Sequence, residues 1–207
     1  MGEKVYHYPL WIRLWHWTNA ILIIALILTG ISMQYSNPDY PLIRFDISVK
    51  VHNIAGVLLT LIYMVFLFGN MITENGKYYV IEKLSVAMKM ISAQMKYYLR
   101  GMFKGEKSPY PTTRKRKFNP LQKFSYISVM YLLMPILFIT GWALLYPGVI
   151  VTQLFNTSGV LLTSLLHVIV GFFVSLFLII HVYFCTMGTK VSSLFKSMIN
   201  GWHEVKA

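Results

Sequence analysis

Six histidines punctuate this chain of 207 residues, and four of them, His16, His52, His167 and His181, fall in long apolar runs. An ionisable side chain in such a run is costly to keep and is by default a functional residue. His167 and His181 are 14 residues apart. On a helix that separation is about 21 Å along the axis at 1.5 Å per residue. Fourteen steps of about 100° also return to within roughly 40° of the start, so both rings leave from one face. By their positions in the apolar runs, His16 and His181 come close to one membrane face, and His52 and His167 close to the other. Depth therefore pairs His16 with His181 and His52 with His167. Two neutral imidazoles facing each other across a helical core fill both axial positions of a low-spin b-type haem. A single ion held by all four histidines is a poor alternative, because the pairs are far apart in depth. Two such saturated irons would move electrons and bind no substrate directly.

The elements that must hold these residues follow from composition. Of the residues, 56% are hydrophobic and 13% charged, against roughly 25% charged in an average soluble domain. No Asp, Glu, Lys or Arg occurs in residues 14–38, 51–73 or 124–189. A spanning helix needs only about 20 apolar residues. The expected fold class is an all-α membrane protein, a single domain over 1–207, with a four-transmembrane-helix bundle at about 14–33, 47–70, 124–146 and 158–187. A soluble enzyme is excluded. Pro135 should bend the third span, and Pro147-Gly148 should end it. The first apolar run has no small-residue cleavage site and should stay as a helix. The lone Cys185 allows no internal disulfide, and no Cys-x-x-Cys-His occurs for covalent haem attachment.

Net charge is +12, and its placement is topological. Lys and Arg cluster in residues 1–13, 71–123 and 188–207, whereas only Arg44 and Lys50 fall on the opposite side. The bias places both termini and the 71–123 segment in the cytoplasm, as expected for a bacterial inner-membrane protein, and argues against nucleic acid as a partner. Within that segment Ile81, Leu84, Met88, Ile91 and Met95 recur at helical spacing among lysines. This is a cytoplasmic amphipathic helix between the second and third spans. The basic stretch Arg114-Lys115-Arg116-Lys117 reads as a topogenic and lipid-headgroup anchor, or as a contact for a partner or quinone. Trp11, Trp15, Trp17 and Tyr146 fit an interfacial belt. Gly30, Gly56 and Gly171 could give room to a porphyrin. Arg13 is equally a positive-inside anchor or a partner for a haem propionate, and Arg44 and Lys50 could do the same on the other side. His7 and His203, outside the spans, read as ordinary polar residues.

Arg13-Leu14-Trp15-His16-Trp17 followed by Thr29-Gly30, His52 with Gly56, and the spacing His167 to His181 resemble the di-haem cytochrome b membrane subunits of bacterial respiratory enzymes. The group includes the formate dehydrogenase gamma subunit, the b-type cytochrome of nickel–iron hydrogenase and the thiosulfate reductase cytochrome b subunit. The resemblance covers nearly the whole chain. It implies two haem b groups and a site for menaquinone or ubiquinone near the cytoplasmic haem, at the start of the third span. Here that region reads Phe118-Asn119-Pro120-Leu121-Gln122-Lys123, so Asn119 and Gln122 offer amide donors to a quinone carbonyl. Asn119 before Pro120 is equally a helix cap and first-turn pair. The resemblance further implies a periplasmic iron–sulfur or c-type cytochrome partner subunit, membrane lipid around the spans, and higher oligomers in some relatives. The chain would then be the electron-transfer subunit, the substrate-converting chemistry belonging to the partner. Two other functions share the sequence pattern. One is a stand-alone quinone oxidoreductase similar to the small bacterial cytochromes that oxidise superoxide. The other is a haem-free anchor or transporter, with histidines serving only in hydrogen bonds or proton relay.

Overall fold

A computed structural model describes residues 3–35, 37, 39–80, 82–113, 116–188 and 190–205. Ile81 of the expected amphipathic helix and Arg114 and Lys115 of the basic stretch lie outside the described residues. Strand β1 (Glu3–Tyr6) leads into α1 (Leu10–Gln34) and then α2 (Phe45–Ile72). A 3-10 segment (Glu74–Tyr79) and α3 (Leu84–Lys96) follow. Next come α4 (Pro120–Ser128), a π-helical turn (Val129–Leu133) and α5 (Met134–Leu145). A two-residue hairpin, β2 (Gln153–Leu154) with β3 (Thr157–Ser158), precedes α6 (Gly159–Cys185). Helix α7 (Ser193–Asn200) and strand β4 (Trp202–Val205) close the chain.

Four helical segments are long and apolar enough to cross a membrane: Leu10–Gln34, Phe45–Ile72, Pro120–Leu145 and Gly159–Cys185. The all-α membrane fold expected from composition is therefore observed. Three of the four spans begin earlier than hydropathy placed them, and at the third a cap, not apolar content, sets the end. The third starts at Pro120, where Asn119 and Gln122 form a reciprocal capping box. Pro135 has no N–H to give the carbonyl four residues back. The wider π-helical turn over Val129–Leu133 lies at that carbonyl, so the proline is accommodated by a bulge in the helix.

The chain divides into two units. One gathers residues 14–67 and 132–178. Its interior comes from Ala55, Leu59, Tyr63 and Phe66 of α2, with Met134 of α5 and Val170 and Val174 of α6. The α2 positions recur every three or four residues, one face of a helix. Trp15 stacks on Phe66 at 4.4 Å and its indole Nε1 donates to the Ile62 carbonyl. It is thus turned inward and not into an interfacial belt. Leu14, Ile21 and Leu28, seven residues apart on α1, stay exposed, as lipid-facing side chains must.

The other unit gathers residues 1–13, 68–131 and 179–207. Here β1 pairs antiparallel with β4, from Glu3 opposite Val205 to Tyr6 opposite Trp202. Gly201 ends α7 at φ 87°, and a Cβ there would strike Tyr6. Trp11 lies so close to Gly69 that a Cβ at 69 would overlap its ring, so this tryptophan also packs inward. The α3 helix buries Gln94, while Leu84, Met88 and Met95 remain exposed. An apolar stripe left outward suits a helix lying on a membrane surface. His7, expected to be an ordinary polar residue, is buried and bonded through Nε2 to the Thr113 carbonyl. Burial, and then the neighbouring His203 and Lys117, lower its pKa.

Lys117 is 4% exposed. Burial holds its ammonium at about 8, against an ordinary 10.5. Between these values the unfolded chain keeps a proton that the folded chain has released, so stability rises with pH through that window. Below about 8 both states carry the proton and the full penalty applies. In neutral detergent, the melting temperature should climb from pH 8 to 10.5, a gain on the order of 3 kcal/mol. Lys117→Met should flatten that rise in a pH series of melting curves. A wild-type curve as flat as the variant's would show that the ammonium is not penalised.

Candidate functional site

Within the 14–67 and 132–178 unit, His52 of α2 and His167 of α6 face each other with ring centroids 6.3 Å apart and ring planes at 67°. Each ring is seated by a threonine on a different helix. Thr29 of α1 meets His52 Nδ1 at 2.9 Å, and Thr140 of α5 meets His167 Nδ1 at 2.8 Å. Each threonine gives its own hydroxyl proton to its helix, Thr29 to the Ala25 carbonyl and Thr140 to the Ile136 carbonyl, both at 2.7 Å. With that proton committed, the hydroxyl oxygen can only accept, so Nδ1 of each imidazole carries the hydrogen. The lone pair of each ring is then on Nε2.

A glycine follows each threonine. A Cβ at Gly30 would meet His52 Cε1 at 3.5 Å, and one at Gly141 would meet His167 Cε1 at 3.3 Å. The two seats are the same device used twice, Thr29-Gly30 and Thr140-Gly141. Gly56, by contrast, lies 4.0 Å from Leu26, an ordinary contact, and a Cβ at Gly171 would meet nothing within 4 Å.

This donor set fits a haem iron. Metal ligation takes a neutral imidazole whose other ring N–H is held by a hydrogen bond, as both are here. Two metal–nitrogen bonds of about 2 Å and two ring radii of roughly 1 Å span about 6 Å, which the observed spacing matches. No cluster of three or more His, Cys, Asp or Glu that could hold a bare metal ion occurs among the described residues.

Residues 7–201 match the prokaryotic cytochrome b561 family. The chain belongs to that family. It is also 35% identical over 203 residues to the Escherichia coli (strain K12) protein named "Putative cytochrome YdhU". That alignment covers 98% of this chain and 76% of the relative. The cytochrome b561 member described here is thus a multi-pass integral membrane protein of b-type haem electron transfer. The family resemblance read from the histidines is borne out.

The remaining expected site residues fall as follows. His16 belongs to the 14–67 and 132–178 unit, where its ring stands edge-on to Trp17 at 5.4 Å. His181 belongs to the other unit, with Tyr126 OH 3.4 Å from its Nδ1 and Cys185 Sγ 3.8 Å from its Nε2. Arg13 donates through Nη1 to the Ile199 carbonyl, near the end of α7, a cation at a helix C-terminus. Arg44 is paired with Asp46 at 3.1 Å, and both are exposed. Asn119 accepts from the Gln122 backbone N–H at 2.9 Å and donates to Tyr98 OH at 3.0 Å. Gln122 accepts through Oε1 from the Asn119 N–H, which leaves its Nε2 for another acceptor.

Three features escaped the sequence reading. Thr140 and Gly141 had a signal, since Leu-Ile-Leu-Thr-Gly at 26–30 is echoed by Leu-Phe-Ile-Thr-Gly at 137–141. Tyr126 beside His181, and Lys117 among aromatic rings, had none.

Thr29→Val and Thr140→Val keep the side-chain shape and remove the acceptor. Each should weaken haem retention by roughly 10–100-fold, the usual cost of losing such an orienting partner. Haem content after detergent exchange measures this, and full retention in both variants would show that the seats are only structural. For the cap, Asn119→Ala should cost about 1 kcal/mol of stability. Asn119→Asp keeps the accepting oxygen and should cost less in the same melting experiment.

Proposed function

We propose that this chain is the membrane-anchoring di-haem cytochrome b subunit of a respiratory oxidoreductase, passing electrons between the quinone pool and a periplasmic iron–sulfur or c-type cytochrome subunit. The reading is carried by one observation: His52 and His167 face each other at 6.3 Å with both Nδ1 atoms on threonine hydroxyls. The second haem is assigned to His16 and His181, paired by depth in the sequence. The chain lies in the inner membrane with both termini and the 71–123 segment in the cytoplasm, in keeping with its Lys and Arg distribution. Membership of a b-type cytochrome family removes the haem-free anchor as a reading.

Haem held between these histidines would supply one-electron transfer. The chain's own residues do the rest. His52 and His167 offer Nε2, while Thr29 and Thr140 fix the tautomer and the ring orientation. Menaquinone or ubiquinone binds beside Asn119, Gln122 and His181. There Gln122 Nε2 is the donor that capping leaves over, and Tyr126 OH stands next to His181. A quinol oxidised there gives up two electrons and two protons, and a quinone reduced there takes up the same.

A pyridine haemochrome assay on the purified chain should return two b haems. His52→Ala and His167→Ala should each leave one, and His16→Ala and His181→Ala should each leave the other, as read in reduced-minus-oxidised spectra. A single haem that survives His16→Ala unchanged would overturn the di-haem assignment.

A further inference from the structure

The buried ammonium of Lys117 has only neutral company. Its Nζ donates to Asn75 Oδ1 at 2.9 Å and lies 4.7, 5.2 and 5.5 Å from the ring centres of Tyr8, Tyr78 and Phe118. Asn75 is itself engaged, donating through Nδ2 to Asn70 Oδ1 at 2.7 Å. Ring faces and an amide oxygen hold a cation in place without neutralising it. None of the ion pairs among the described residues gives Lys117 a carboxylate. A buried charge left in this way is costly unless an opposite charge joins it.

Beside it opens a cavity of about 160 Å³, against the roughly 10–15 Å³ that admits one water. Lys77, Arg116, Lys117 and Lys123 line it, with Glu82 as the carboxylate of the wall. Glu82 stands 3.7 Å from Lys123. Four cations against one carboxylate leave the wall three charges positive. Phe118 and Pro120 supply an apolar side. Pro120 is also the first residue of the third span, so the cavity stands where that span begins. That is the polar boundary of a bilayer, the level of lipid phosphates.

We propose that this cavity binds a phosphoryl oxyanion, with Lys117 as its buried counter-ion, and that an anionic phospholipid headgroup supplies it. Free phosphate carries the same chemistry and is the other source. Arginine and lysine at the rim suit the exposed oxygens, Arg116 by a forked contact and Lys77 and Lys123 as point charges. The aromatic box around Lys117 fixes the one charge that cannot swing away. A bound oxyanion would also relieve the desolvation that holds this ammonium near 8. The inference stands independently of the proposed quinone site, because Asn119, Gln122 and His181 are not among the residues that line this cavity.

The test uses the full haem-loaded chain in neutral detergent, titrated with phosphatidylglycerol, with phosphatidylcholine, or with inorganic phosphate. Native mass spectrometry counts bound lipid, and haem content reports folding. One phosphatidylglycerol per chain should bind saturably, and phosphatidylcholine should not. Lys117→Met should weaken that binding on the order of tenfold, the loss of a charge-assisted contact. Lys123→Gln at the rim should weaken it less, and it serves where Lys117→Met does not fold. Lys107→Gln, outside the cavity, should leave binding unchanged. Displacement of the lipid by phosphate supports a site that reads the oxyanion from either source. Phosphatidylglycerol that resists phosphate supports the lipid as the source, and saturable phosphate without lipid binding supports the free ion. The proposal is overturned if no saturable anion binds, if phosphatidylcholine binds equally, or if Lys107→Gln weakens binding as much as Lys117→Met.

Discussion

A threonine hydroxyl inside an apolar helix has one good place to send its proton, the carbonyl one turn back. Thr29 and Thr140 both do this, at 2.7 Å. The consequence is that each oxygen becomes a pure acceptor, and the imidazole against it must present Nδ1–H. The tautomers of His52 and His167 are therefore set by two helix backbones in which the histidines take no part. At the second seat space is tight, since a Cβ at Gly141 would come within 3.3 Å of the His167 ring, whereas one at Gly30 would make an ordinary contact with His52 at 3.5 Å. The tautomer that leaves Nε2 of both rings free for a haem iron descends from that committed proton.

The same economy explains why so little of each span is buried. Fewer than a quarter of the residues in each spanning window are enclosed by protein. In lipid, apolar side chains gain nothing from facing one another in place of acyl chains, so association rests on close contact and polar fixings. Trp15 supplies both, stacking on Phe66 and donating to the Ile62 carbonyl. Trp142 Nε1 likewise donates to Thr60 Oγ1 at 3.2 Å. Trp15 looks like a belt residue in the sequence, and both indoles act as helix-to-helix ties in the fold.

Hydropathy made the four spans legible because the bilayer imposes a length and forbids charge, and both are visible in a string of letters. The histidines were legible for the same reason. Cap positions were partly so: Asn119, Pro120 and Gln122 spell a capping box, yet apolar content drew the boundary at Phe124. What the sequence hid is contact between elements far apart in the chain. Thr29 is 23 residues from His52, and Thr140 is 27 from His167. Nothing local marks a threonine as a seat, since any helical threonine can bond its own backbone. The pairing of β1 with β4, almost 200 residues apart, and the burial of Lys117 under Tyr8 are of the same kind. Each depends on a partner that only the fold brings near.

On the proposed reading, quinone chemistry moves protons as well as electrons, and the two demands separate in the chain. His52 and His167 would have no proton to trade, because Nδ1–H is held by threonine and Nε2 would be given to the haem iron. That seat is suited to electrons alone. Groups able to exchange or relay a proton lie in the unit of residues 1–13, 68–131 and 179–207. Tyr126 stands beside His181, and the Lys117 ammonium is fixed by hydrogen bonds that run through Asn75 and Asn70 to Tyr131. Burial keeps Tyr8 and Tyr79 protonated far above neutrality. Lys117, held at about 8, is poised close to neutral pH and can release a proton there. A charge compensated by a bound oxyanion would lose that poise. Occupancy of the Lys117 cavity would therefore set whether this end of the chain acts as a proton-exchanging surface or as a fixed anchor.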